Sequence, residues 1–390
     1  MELIKKLLKN IRLTYCYVAC ITLCLISNVC FAQAIIIPPN TVISHSKTYN
    51  NVTLDMTKGS FIIRDNATLT INNSIITGNI SQTNPVLITV EKGALNLTNS
   101  QMNVKAVGIN PHPDTQSEYH AIQVSYGAIN MNGNNFQIDQ PFTAGLLITD
   151  AMLPTSNFNI TNNRFEGFHG LLYLVSTNNA LVANNTLVKN TYGNIVIIGS
   201  NSKIINNTIY FSGNNRLGDS IDVIDSNNIL VSKNILLTPS CHGVYVYNSS
   251  NVVLDQNRIT GGITYGVNVL SFPEKASKFD SVSHLVSKHK MKHTASSNIT
   301  ISNNVMSQNR YGVAATDVNG LTVSGNIFIQ RFEDHDTRQF WTNNNILILR
   351  TTNVTWSNNQ YKEGYTQEMN GDNSKSSQII PFPATGGVSL

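Results

Sequence analysis

The sequence predicts an all-β fold, a parallel β-helix whose chain winds through stacked three-strand coils. Three observations predict it: an eight-position pattern recurs at spacings mostly near 22 residues, an Asn holds the same place in every copy, and the segments between copies alternate apolar and polar with period two.

The pattern reads apolar, any, apolar, any, any, Asn, any, apolar. It occurs in INMNGNNF, FNITNNRF, ALVANNTL, SKIINNTI, ILVSKNIL, VVLDQNRI, ITISNNVM, LTVSGNIF and VTWSNNQY, with Ser202 the one polar residue at its first position. The asparagines are Asn134, Asn163, Asn185, Asn207, Asn234, Asn257, Asn304, Asn326 and Asn359, spaced 29, 22, 22, 27, 23, 47, 22 and 33 residues apart. The long gaps read as the base period with insertions. ATLTINNSII and GALNLTNSQM are looser upstream copies, so the winding is expected from about residue 55 to 363.

Leucine-rich repeats share part of this pattern. They need a further Leu eight residues before the Asn, where this chain has Thr155, Thr177, Ser226, Ser249, Ser296, Val318 and Thr351. Their second half is helical or extended, whereas GVYVYNS, YGVNVLS and YGVAATD alternate as strands do. In a β-helix, apolar side chains alternate into the bore and coils stack at about 4.8 Å, so every backbone N–H and C=O meets a neighbouring coil. The recurrent Asn suits a tight bend twice over: it tolerates the left-handed conformation, and its amide bonds to the Asn above and below.

From about residue 55 to 361 these coils resemble the right-handed parallel β-helix repeat proteins of the pectin-lyase-like superfamily. The resemblance implies a right-handed solenoid and a function among polysaccharide lyases, hydrolases, C5-epimerases and carbohydrate-linked surface proteins.

The ends read differently. Residues 1–32 carry Lys5, Lys6, Lys9 and Arg12 ahead of an apolar run that closes on small residues, the layout of a secretory signal peptide cleaved near Ala32 or Ala34. A secreted or periplasmic product without a membrane span is expected; the competing reading is a retained anchor, since Leu13 to Ala32 is nearly bilayer length. Residues 33–54 are expected to cap the winding, and 364–390 to form a tail. Cleavage removes four of the 26 cations and one of the 22 anions, leaving 22 against 21, so no basic face remains to suit nucleic acid. It also removes Cys16, Cys20, Cys24 and Cys30, and Cys241 alone can form no internal disulfide. A monomer is expected.

Function in a solenoid concentrates where the coil is interrupted. The interruptions are 214–218, 272–294 and 331–341, all beside one strand column. Aligning those strands on their inward apolar pairs places Tyr173, Val196, Asp222, Tyr245, Asn268, Ala314 and Leu347 in one outward file. Tyr247 lies beside it, Asp225 at a strand end, and Asp219 and His242 at strand starts. A groove over these coils follows, with Asp219, Asp222, Asp225, His242 and Tyr245 as candidate catalytic groups and Tyr247 and Asn268 as candidate binding groups.

The 272–294 insertion adds Lys288, Lys290 and Lys292, with Lys275 and Lys278, against Glu274 and Asp280. Cations beside aromatic rings suit a polysaccharide such as a polyuronate; the alternative is a solvated loop. His284, His289 and His293 lack a Cys or Asp at ligand spacing, so no metal site is assigned. Glu333, Asp334, His335 and Asp336 could offer calcium oxygen ligands but lack a glycine-shaped loop, and no cofactor is required.

GDSIDVID followed by SCHG is similar to the polygalacturonase arrangement of an Asp pair with a His and Gly on the next coil. Here Ser220 separates the first Asp from its neighbours, and NTYGN lacks an Asp on the preceding coil. Inverting hydrolysis needs an acid and a water-activating carboxylate. A lyase or epimerase needs a base such as Tyr245 or His242 beside a uronate, although the Asp-Pro-His-Asp box of mannuronan epimerases is absent after TYG. A non-catalytic protein binding glycan or protein partners through flat faces is the alternative class.

Overall fold

A computed structural model describes residues 34–109, 119–140, 143–149, 155–190, 193–211, 218–239, 241–262, 264–271, 295–309, 311–329 and 346–362. Among these residues every ladder between named strands is parallel, and no helix occurs. A 13-stranded sheet forms one wall and a 24-stranded sheet wraps the others, each strand pairing with the equivalent strand one coil away. The architecture is a right-handed parallel β-helix, the hand that parallel crossover connections almost always take.

Period-two alternation fixes what fills the bore. One inward column runs Phe136, Phe165, Leu187, Ile209, Leu236, Ile259, Met306 and Phe328. A second runs Ile160, Val182, Ile204, Val231, Leu254, Ile301 and Val323. A third runs Ile197, Val223, Val246, Val269, Ala315 and Ile348. These residues are buried in one continuous core, each large apolar side chain worth roughly 1.5–3 kcal/mol relative to exposure. Phe136 and Phe165 stack at 5.1 Å.

Each repeat Asn bonds to the next. The backbone N–H and Nδ2 of Asn185 both donate to Asn207 Oδ1, at 3.0 and 2.9 Å, and Nδ2 also reaches Ile160 O at 2.8 Å. The same contacts link Asn134 through to Asn359. The left-handed conformation, however, falls on the residue before each rung: Gly133, Asn162, Asn184, Asn206, Lys233, Gln256, Asn303, Gly325 and Asn358 have φ between 55° and 70°. The bend and the amide ladder are therefore separate tasks of adjacent residues, because the residue that turns the chain points outward while the next one points in.

Winding starts earlier than residue 55. Ile35–Ile36, Thr41–Ile43 and Lys47–Asn50 each pair in parallel with the following coil, so the segment expected as a cap is itself a coil. Residues 1–33 and 363–390, with most of the 214–218 insertion and all of 272–294 and 331–341, lie outside the described residues. No described helix is long and apolar enough to cross a membrane.

Candidate functional site

The outward file expected from the sequence is one register column. Tyr173 pairs with Val196, Val196 with Asp222, Asp222 with Tyr245, Tyr245 with Asn268, Asn268 with Ala314 and Ala314 with Leu347. It is closed rather than an open groove: Asp222 is 1% exposed, Asn268 5%, Tyr245 8% and Tyr247 2%. Large apolar neighbours on the same outer face, among them Tyr173, Val196, Ile198 and Ile224, bury one another and these residues in a second cluster outside the bore.

A neighbouring column holds the polar centre. His242 opens the strand His242–Tyr247 and pairs with Tyr265, which pairs with Tyr311. Asp219 stands one coil before His242. Its Oδ1 accepts from His242 Nδ1 at 2.7 Å and from the His242 backbone N–H at 2.8 Å, and the two side chains are only 12% and 15% exposed. Tyr245 and Tyr265 both stack near-parallel to the imidazole, each ring centroid 5.2 Å away, and Tyr265 stacks on Tyr311 at 5.0 Å. Cys241 Sγ lies 3.7 Å from Nε2, and Thr264 donates to Cys241 O at 2.6 Å. Tyr265, Tyr311, Cys241 and Thr264 were not expected from the sequence. A ring followed by Gly in His242-Gly243, Tyr265-Gly266 and Tyr311-Gly312 is the signal that marks the column.

Charge is distributed unevenly. Burial alone lowers His242, but the Asp219 charge and hydrogen bond, with Cys241 beside the ring, push it up to about 10. Burial raises Asp219, yet the His242 imidazolium outweighs it and holds the carboxyl below its usual range. For Asp222, burial comes first and the Asp219 charge second, and together they drive it well above the ordinary carboxylate value. Both Asp222 oxygens are shielded from solvent, and the hydrogen-bonding side chain that faces them is the Asp219 carboxyl. Asp219 and His242 hold each other in their charged forms, and Asp222 behind them is driven toward its protonated form. Asn268 Nδ2 lies 3.2 Å from His242 Nε2; a protonated Nε2 calls for the opposite amide orientation, oxygen toward the ring.

Asp225 is separate. It turns the corner after Ile221–Ile224 with φ 45°, its N–H bonded to Tyr247 O at 2.9 Å, and three strand residues carry it about 10 Å beyond Asp222. Its place is that of Asn248 and Asp317 on later coils, positions where Asn and Asp tolerate positive φ. Lys288, Lys290 and Lys292, the three insertion histidines and the Glu333–Asp336 group lie outside the described residues.

Asp219, Cys241 and His242 bring donor atoms within 4.8 Å of one another. Nδ1 is committed to Asp219 Oδ1 and the imidazole, raised to about 10, carries a proton on Nε2 as well, which leaves Sγ and Asp219 Oδ2, fewer than the three or four protein ligands of a stable transition-metal site. The arrangement fits proton chemistry better than metal binding.

A family profile described as "Right handed beta helix region" matches residues 151–272 and 242–379, more than half of the chain. No curated protein matches. Among solved structures, the Dettilon tailspike protein gp208 is 12% identical over 76% of this chain and 59% of its own, with a TM-score of 0.45. The alginate lyase AlyF-OU02 in complex with G6 is 11% identical over 85% and 81%, with a TM-score of 0.43. The tailspike of E. coli bacteriophage HK620, in complex with a pentasaccharide, is 12% identical over 89% and 57%, with a TM-score of 0.46. The chain spans less than two thirds of either tailspike. The profile match, with the parallel ladders and Asn rungs, places this chain in the right-handed β-helix family.

Proposed function

We propose that this protein is an exported β-helix enzyme that hydrolyses polysaccharide, with the Asp219–Asp222 pair as its general acid. One observation carries the reading: two carboxyl groups three residues apart are pushed in opposite directions, Asp219 ionised and Asp222 protonated. Such a division identifies acid and base partners when both groups sit in one site. The pair holds one proton and titrates as a unit. Asp219 is the member nearer solvent, so the pair's proton passes through it to the leaving glycosidic oxygen as that C–O bond breaks, while water adds to the anomeric carbon and gives its proton back to the pair.

Elimination fits less well. It needs a base to take the proton beside a uronate carboxylate, and His242, raised to about 10, already carries its proton at neutral pH. Export rests on the signal-like residues 1–32, and N-terminal sequencing of the mature protein tests it. An acidic polymer is the finer part of the proposal, supported by the lysines of the 272–294 insertion.

The test is a panel of neutral and acidic polysaccharides, following reducing ends and unsaturated-product absorbance together. Hydrolysis gives reducing ends without absorbance, and Asp219→Asn or Asp222→Asn lowers the rate about 100-fold or more. Absorbance rising with product, or full activity in both variants, overturns the assignment. A second reading, glycan binding without turnover, is favoured by the shielding of both Asp222 oxygens; saturable binding with no product identifies it.

A further inference from the structure

We propose that Gly193 is a positioning residue: the missing side chain at this position is the recess that seats the Asp222 carboxyl behind Asp219. The inference deepens the acid-pair reading and rests on it for its functional meaning, but the placement itself is independent of any substrate.

A Cβ at Gly193 would stand 2.6 Å from Asp222 Oδ2 and 2.6 Å from Val196 Cγ2, too close for either to stay where it is. The backbone does not explain the glycine. Gly193 is not among the residues of positive φ, whereas Gly170, in the same column, has φ +65°. Gly193 is therefore required for space. The column repeats the device with other occupants: a Cβ at Gly145 would meet His120 Nδ1 at 2.3 Å, and one at Gly170 would meet the Tyr173 ring at 2.3 Å. On the coil before Asp219 the occupant is a carboxyl.

That carboxyl is 1% exposed with both oxygens shielded from solvent, and the titratable groups facing it are Asp219, His242 and Cys241. Filling the recess leaves it two ways out: toward the Asp219 carboxylate, whose charge drives it further up, or past Val196 to water, which favours ionisation; either exit moves its titration. The fold tolerates the change, because the two atoms in the way are ends of side chains. A Cβ at Gly199 instead meets the backbone O of Thr177 at 2.0 Å, so Gly199→Ala serves as the control that strains the coil without touching Asp222.

The experiment follows the Asp222 side-chain carboxyl by 13C NMR titration in the substrate-free mature protein, wild type against Gly193→Ala, with thermal melts to show that both fold. The Asp222 midpoint is expected to shift by about one pH unit or more in Gly193→Ala, downward if the carboxyl moves to water and upward if it moves onto Asp219, and to stay in place in Gly199→Ala. On whichever polysaccharide is turned over, kcat falls about tenfold or more with KM changed less, and Gly193→Ala adds nothing to Asp222→Asn in the double variant. An unmoved Asp222 titration in folded Gly193→Ala overturns the proposal, as do losses that add in the double variant. If no polysaccharide is cleaved, the acid reading fails while the titration still decides the role of Gly193.

Discussion

Asp219 Oδ1 accepts two hydrogen bonds from the single residue His242, one from Nδ1 at 2.7 Å and one from the backbone N–H at 2.8 Å, so one carboxylate is tied to the next coil by both side chain and main chain. His242 rises from an ordinary value of 6.5 to about 10, and Asp219 falls below 3.8.

The sign of the pH dependence follows. A histidine raised on folding stabilises fully below its unfolded value and loses that contribution as pH climbs through its folded one; a lowered Asp contributes above its unfolded value and loses it in acid. The stability gap between wild type and His242→Gln is therefore largest between about pH 4 and 6.5 and shrinks between about 6.5 and 10, by up to ~1.4 kcal/mol per pH unit. Urea midpoints measured across this range check it, and a gap independent of pH refutes it.

Asp222 runs the opposite way. Protonated in the folded state and ionised in the unfolded one, it makes folding less favourable as pH rises above about 3.9. Asp222→Asn removes that cost, so the variant gains on wild type from acid toward neutral pH by up to ~1.4 kcal/mol per unit. Calorimetric melting at several pH values reads this directly, and a difference that does not widen counts against a buried protonated acid.

In the Asn ladder, Asn207 Oδ1 accepts from the backbone and side chain of Asn185, and its Nδ2 donates to Asn234 Oδ1 at 3.0 Å and Val182 O at 2.9 Å. Asn207→Ala strands several buried groups at ~1–3 kcal/mol each. Faster amide exchange at Asn185 and its neighbours than at distant coils is the expected outcome, since solenoid stability is set between adjacent repeats. Uniform exchange along the chain would show that the rungs bear no local stability.

At the bend before the rung, Asn184 is exposed with φ 57°. Asn184→Val costs about 1–2 kcal/mol, because a branched side chain resists the left-handed region, while Asn184→Gly stays near wild type. Denaturant midpoints of the two variants test this, and equal effects would contradict the strain argument.

How much of this was legible in the sequence varies with distance along the chain. The Asn rungs and inward columns follow from period and alternation, because each coil demands the same residue type at the same place. The file from Tyr173 to Leu347 follows from aligning the inward apolar pairs. The division between Asn184, which bends, and Asn185, which bonds, is not visible, because both are asparagine and only φ separates them. Tyr265 and Tyr311 were passed over as strand starts although they extend the His242 stack. Asp225 carries the same side chain as Asp219, and only the corner geometry sets it apart.

The sequence by itself determined the winding: a short-range repeat dictates parallel stacking because backbone hydrogen bonds and apolar alternation act identically on every coil. Tertiary structure alone decided which acids ionise. Protonation depends on what lies across the coil boundary, a histidine 23 residues after Asp219 and a glycine recess at Gly193 before Asp222, and on the water those neighbours exclude.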